Sequence, residues 1–202
     1  MVTIPREILE EKFTLNRLLE AVDSGAINAC FSYDNEVFRD KNGVMNMNVT
    51  CSGLVWWWLE QNGMTRALGE IKEFYKDEKD QPRDRHFFAY DFYRFFAMKG
   101  KKLEHWQRVR HPGLLEPGDI LIEKVRRNAA PRDKKNVFCH AMIFEKTTDV
   151  VENGSRAELG IVDALRSRPS GIGPYELILT NDKPFGQWLY GGPRLVMARA
   201  KG

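Results

Sequence analysis

The stretch MNMNVTCSGLVWWWLEQNG, Met45 to Gly63, decides how the rest of the chain is read. Asn48 or Thr50 can cap a helix running from about Cys51 to Gln61, and Asn62-Gly63 closes it. Leu54, Val55, Trp58 and Leu59 then fall on one face at helical spacing. An isolated cysteine is commonly an inert core residue. Cys51 has a better setting than that. As the first residue of a helix it has unpaired backbone N–H groups and the positive end of the dipole around its sulfur, which favours thiolate over thiol. Ser52 and Gly53 are too small to cover it.

Upstream, residues 5–23 read as an amphipathic helix, with Ile8, Phe13, Leu15, Leu18, Leu19 and Val22 along one stripe. Ser32 to Asn48 is polar and rich in turn signals, Asp34-Asn35 and Asn42-Gly43 among them. Downstream, helices are expected over Thr65–Lys76 and Arg85–Met98, and Gly100 ends the helical half. The texture then changes. LEPGDILIEKV, VFCHAMIFEK, LGIVDAL, YELILT and PRLVMARA read as five strands. Helices first and strands second, without regular alternation, predict an α+β domain with an antiparallel sheet. One domain is expected over 1–202, its helical half about 1–100 and its β half about 101–202.

Bulk properties exclude several classes. A 202-residue chain that is 43% hydrophobic and 29% charged supports one packed core. A net charge of +3 is too small to indicate a nucleic-acid binder without a concentrated patch. Cys30, Cys51 and Cys139 make neither a disulfide framework nor a zinc pattern, and no metal or cofactor is expected. Acids within the first dozen residues, and no long apolar run anywhere, argue against a secretory signal and a membrane span. The expectation is synthesis in the cytoplasm, with any export by a route that reads no signal peptide.

His140 gives Cys51 a partner. In VFCHAMIF, His140, Met142 and Phe144 face one way and Cys139, Ala141 and Ile143 the other. A strand holds an imidazole rigidly, as a general base requires. The bland alternative is a hydrogen-bonded, inert histidine on a sheet face. His86 lies in an aromatic helix, and His105 and His111 flank a basic loop, so their contexts are weaker.

TCSGLVWWWLEQNG, LEPGDILI, CHAMIFEK and GIVDAL, taken in this order over residues 45–165, resemble the successive blocks of NlpC/P60 cysteine peptidases. The resemblance implies a papain-like fold, with the nucleophile helix packed on an antiparallel sheet. It also implies Cys51 as nucleophile, His140 as base and Asp163 as the residue that orients the imidazole. Thr50 stands where members usually have Asp, and Asp163 where the third residue is often His. The hairpin between His140 and Asp163 is longer than usual.

Tyr33 precedes the Cys block as a cleft-lining Tyr does in that family, although its spacing is long and a plain surface or core Tyr fits it better. Ser52, beside the sulfur, and Trp56, in the Trp56–Trp58 run, complete the candidate substrate-binding residues; core packing accounts for at least Trp58. KVRRNAAPRDKK, residues 124–135, reads as a solvated loop or as a grip for an anionic polymer.

The resemblance further implies hydrolysis of amide bonds in peptidoglycan stem peptides. With no leader expected, the chain is similar to antibacterial effectors delivered by type VI secretion into a rival cell's periplasm. Such toxins engage a secretion-apparatus component and are paired with an immunity protein. A phage lysis enzyme fits the same features. Two other classes stay open: thiol acyl transfer or deamidation of a protein or lipid, and a catalytically inactive binding module.

Overall fold

The computed structural model describes residues 14–76, 87–98, 102–126, 137–150, 156–180 and 195–202. In chain order these form α1 (Leu15–Asp23), β1 (Ile27–Phe31), β2 (Glu36–Arg39), β3 (Met45–Val49), α2 (Cys51–Gln61), α3 (Thr65–Tyr75) and α4 (Ala89–Ala97). Then follow β4 (Trp106–Val109), a 3-10 turn (Pro112–Leu114), β5 (Ile120–Arg126), β6 (Val137–Val150), β7 (Arg156–Ala164), β8 (Ile172–Thr180) and β9 (Leu195–Ala200). The fold is α+β. The first half of the helix expected over 5–23 lies outside the described residues, as do the start of the one expected at Arg85 and most of the basic stretch.

The main sheet has six strands in the order β4-β9-β5-β6-β7-β8, every neighbouring pair antiparallel. Both of its faces are apolar, with successive residues along a strand pointing to opposite sides. Ile120, Ile122, Ala141, Ile143, Val162 and Ala164 pack with the helices, whereas Leu121, Met142, Phe144, Leu159 and Ile161 form a second cluster on the opposite face. The alternation read within VFCHAMIF is therefore present for its apolar members.

Two features depart from the expected order of helices, then strands. A three-stranded sheet, β1-β3-β2, precedes α2, with β1 parallel and β2 antiparallel to the central β3. Its strands β2 and β3 fall in the segment read as turns, and β1 lies just before it. Met45, Met47 and Val49 point into the core while Asn46 and Asn48 alternate with them at the half-buried positions. Asn28 Nδ2 donates to Asn46 Oδ1 across the strands at 2.9 Å. The period is that of a strand, but asparagine is a weak strand former and masks it. The second departure is β4, too short at four residues to stand out.

The helix α2 keeps the expected bounds but not the expected single apolar face. All nine residues from Cys51 to Leu59 are buried, because α2 packs against β6 and β7 on one side and α3 on another. A helix with no charge before Glu60 is built to be surrounded. Around it Phe92, Phe95, Phe96, Trp106, Phe74 and Tyr75 form an aromatic cluster, with Trp106 Nε1 donating to Ala67 O at 2.8 Å.

Candidate active site

The start of α2 is fixed by a short polar clamp. Thr50 is the N-cap, and its Oγ1 accepts from Gly53 N at 3.1 Å. Thr50 in turn donates twice to Asn35 Oδ1, through its backbone N at 2.7 Å and its hydroxyl at 2.9 Å. Asn35 is buried and holds a left-handed backbone, φ +51°, which Asn tolerates better than most residues. A Cβ on Gly53 would lie 1.9 Å from Asn35 Oδ1, so Gly is required there. These bonds make Cys51 the first residue of the helix.

Ser52 belongs to the same clamp. It is buried, with its Oγ 3.2 Å from Thr50 Oγ1, so its side chain supports the helix start and is not presented to a ligand. Trp56 is a clearer correction. Its ring stacks on Phe87 at 5.2 Å, its Nε1 donates to Glu60 Oε1 at 2.8 Å, and Lys72 Nζ covers it at 4.9 Å. Trp57 and Trp58 are likewise buried, so the tryptophan run is core and not a binding platform. Tyr33 differs: it is 70% exposed, with its ring edge against Phe31.

Cys51, His140 and Asp163 converge. His140 Nε2 lies 2.9 Å from Asp163 Oδ2, and the Cys51 side chain lies beside the same imidazole, where it raises the ring's pKa. Burial alone would lower the His140 pKa, but the hydrogen bond to Asp163 and the neighbouring Cys51 overcome it and raise it to about 9. The imidazole is thus a cation at neutral pH, flanked by two groups that are anions when ionised. Cys139, the residue before His140 on β6, faces the helical core instead, and burial pushes its thiol up to about 11. Cys30 is exposed on β1 and donates to Asn48 Oδ1 at 2.9 Å.

Asp163 is itself almost completely buried, and its second oxygen has a partner that the sequence did not announce. Arg168 Nη1 lies 2.7 Å from Asp163 Oδ1, an ion pair without the angle of a hydrogen bond. The turn that carries Arg168 joins β7 to β8 and closes with Leu165 N donating to Gly171 O at 2.8 Å. Gly171 has φ +67°, and a Cβ there would meet the Cys30 backbone at 2.4 Å. The other described histidines serve local structure: His111 Nδ1 accepts from Gly113 N at 3.0 Å, and the His105 backbone N donates to Glu70 Oε2 at 2.8 Å. His86 lies outside the described residues.

Among the described residues no cluster of metal-ligating side chains occurs, and no helix is long and apolar enough to cross a membrane. No family model matches this chain, and neither a curated protein nor a solved structure matches it. The residues missed from sequence were Asn35 and Arg168. Asn35 carried a signal, since the Asp34-Asn35 pair is a turn signal and Asn tolerates the left-handed conformation. Arg168 carried none, because its contact arises from how the β7–β8 turn folds back.

Proposed function

We propose that this chain is a papain-like cysteine hydrolase cutting amide bonds in peptidoglycan stem peptides. The observation that carries the reading is the line of Cys51, His140 and Asp163, with the sulfur at the first turn of a buried helix. The resemblance of the Cys-Ser-Gly, Pro-Gly-Asp and His blocks to NlpC/P60 peptidases supplies the substrate class.

The chemistry follows from the positions. The thiolate of Cys51 attacks the amide carbonyl carbon, and a C–S bond forms as the carbonyl oxygen gains charge. Of the first-turn donors, Gly53 N is held by Thr50 Oγ1 and Leu54 N by Thr50 O, which leaves the Cys51 and Ser52 N–H groups for that oxyanion. His140 gives its proton to the departing nitrogen and the C–N bond breaks. Water then loses a proton to His140, its oxygen attacks the thioester, and the C–S bond breaks to return the thiolate beside the imidazolium. Asp163 orients the ring and balances its charge.

The delivered antibacterial effector is part of the same proposal: the protein works in the periplasm of a target cell and is neutralised at home by an immunity protein. Purified sacculi treated with wild-type protein should yield new stem-peptide fragments on chromatography, and with Cys51→Ala none. Expression with an added signal peptide should lyse the host, while cytoplasmic expression should be tolerated. Intact muropeptides from a folded protein with a reactive Cys51 would defeat the wall-hydrolase reading and favour acyl transfer.

A further inference from the structure

We propose that Arg168 is a positioning residue of this site, supplying the counter-charge that lets the His140–Asp163 pair pass between its charged and neutral forms. The inference rests on reading Cys51 and His140 as the reacting pair. Its starting point is how the Asp163 carboxylate is divided: Oδ2 faces His140 Nε2 at 2.9 Å and Oδ1 faces Arg168 Nη1 at 2.7 Å. Asp163 is 1% exposed, so water neutralises neither oxygen.

Charge must be counted through the reaction. In the form that attacks, with the sulfur's proton on His140, thiolate, imidazolium, carboxylate and guanidinium sum to zero. In the acyl-enzyme the sulfur is a neutral thioester and His140 has given its proton away. Without Arg168, Asp163 would then be an uncompensated buried carboxylate, a state costly enough to hold the proton on His140 and delay leaving-group departure. With Arg168 the sum stays zero in both states. The guanidinium therefore offsets the pull of Asp163 on the imidazole proton.

Arg168 is built into its place. Its Nη1 also donates to Gly173 O, its guanidinium lies 6.0 Å from the Tyr175 ring, and a Cβ on Gly173 would come within 3.1 Å of Nη1. The other ionisable groups around His140 are Cys51 from α2, Asp163 from β7, and on β5 Glu123 opposite His140 and Lys124 opposite Cys139. Lys124 Nζ sits over the Tyr93 ring of α4 at 5.2 Å. Among the described residues Arg168 is the cation other than His140 that touches Asp163.

The test is the titration of the His140 ring followed by NMR, its signal assigned by loss in His140→Ala. This readout needs no substrate, so it stands or falls apart from whether sacculi are cut. Arg168→Gln removes a nearby cation and should raise the His140 midpoint by about one pH unit, whereas Arg168→Lys should leave it near the wild-type value. Asp163→Asn should lower the midpoint. The double variant Asp163→Asn/Arg168→Gln, which buries no lone charge and keeps the test open if Arg168→Gln fails to fold, should titrate above Asp163→Asn and below wild type. An unchanged or lowered midpoint in folded Arg168→Gln, or equal midpoints in Asp163→Asn and the double variant, would overturn the proposal.

Discussion

Asn35 Oδ1 accepts both the backbone N–H and the hydroxyl of Thr50, the residue that caps the helix begun by Cys51. One buried amide oxygen thereby links the turn between β1 and β2 to the position of the sulfur. Asn35→Ala removes the acceptor, leaving the buried Thr50 N–H unpaired and the Thr50 hydroxyl with Ser52 Oγ alone, at a cost of about 2 kcal/mol. Asn35→Asp keeps an acceptor and tolerates the left-handed backbone, so its loss should be smaller. Urea unfolding measures both. Equal stability of Asn35→Ala and wild type would show that the clamp carries no weight.

Cys51 should be the first of the three thiols to react with iodoacetamide at mildly acidic pH, as mapped by mass spectrometry. Exposure alone would favour Cys30, and Cys139 is held as thiol by burial. The imidazolium beside Cys51 is what reverses the order, since thiolate is the reacting form. His140→Ala should therefore abolish the preference, slowing Cys51 labelling by roughly tenfold or more. Dominant labelling of Cys30 in wild type would remove Cys51 from its assigned role.

The parts of this molecule legible in the sequence are those set by near neighbours. Thr50 and Asn62-Gly63 bound α2 within a few residues of the helix itself, and five apolar strands announce the main sheet by their own alternation. Nine successive residues without a charge carried the signal that α2 is buried on all sides, but helical spacing pointed to a single apolar face. What failed was of two kinds. In β3 the period was correct, but Asn46 and Asn48 argued for turns until paired strands satisfied them. Trp56 and Arg168 depend on contacts made across the fold, to Phe87 and to Asp163, which local pattern does not encode.

Asp163→Asn should lower turnover on stem peptides by on the order of a hundredfold, less than Cys51→Ala or His140→Ala. The amide still reaches Nε2 across the 2.9 Å contact but cannot balance the imidazolium, and it leaves Arg168 without its carboxylate. Steady-state kinetics on purified muropeptides, with circular dichroism as a check on folding, decides the order. A fully active Asp163→Asn enzyme would reduce the pair to a structural contact.

The final prediction concerns pH. His140 has its pKa raised from the ordinary 6.5 to about 9, against the effect of burial, by Asp163 and Cys51. A folded-state pKa above the unfolded one means that the native state binds the proton more tightly. The resulting stability is therefore fully present below about 6.5 and is lost as pH rises through about 9. Thermal midpoints should fall across that window. The stability lost is a few kcal/mol at most, since a tenfold difference in proton affinity is worth about 1.4 kcal/mol. His140→Ala should flatten the dependence. Catalysis should track the same proton: because the imidazolium protonates the leaving nitrogen, kcat/KM should decline on the alkaline side near pH 9. Asp163→Asn removes one of the two groups that raise the pKa, so its alkaline limb should move toward neutrality. The thermal profile of Cys51→Ala, which lacks the other, should move the same way. Profiles that stay superimposed on wild type in both variants would mean that the ionisation near pH 9 belongs to another group.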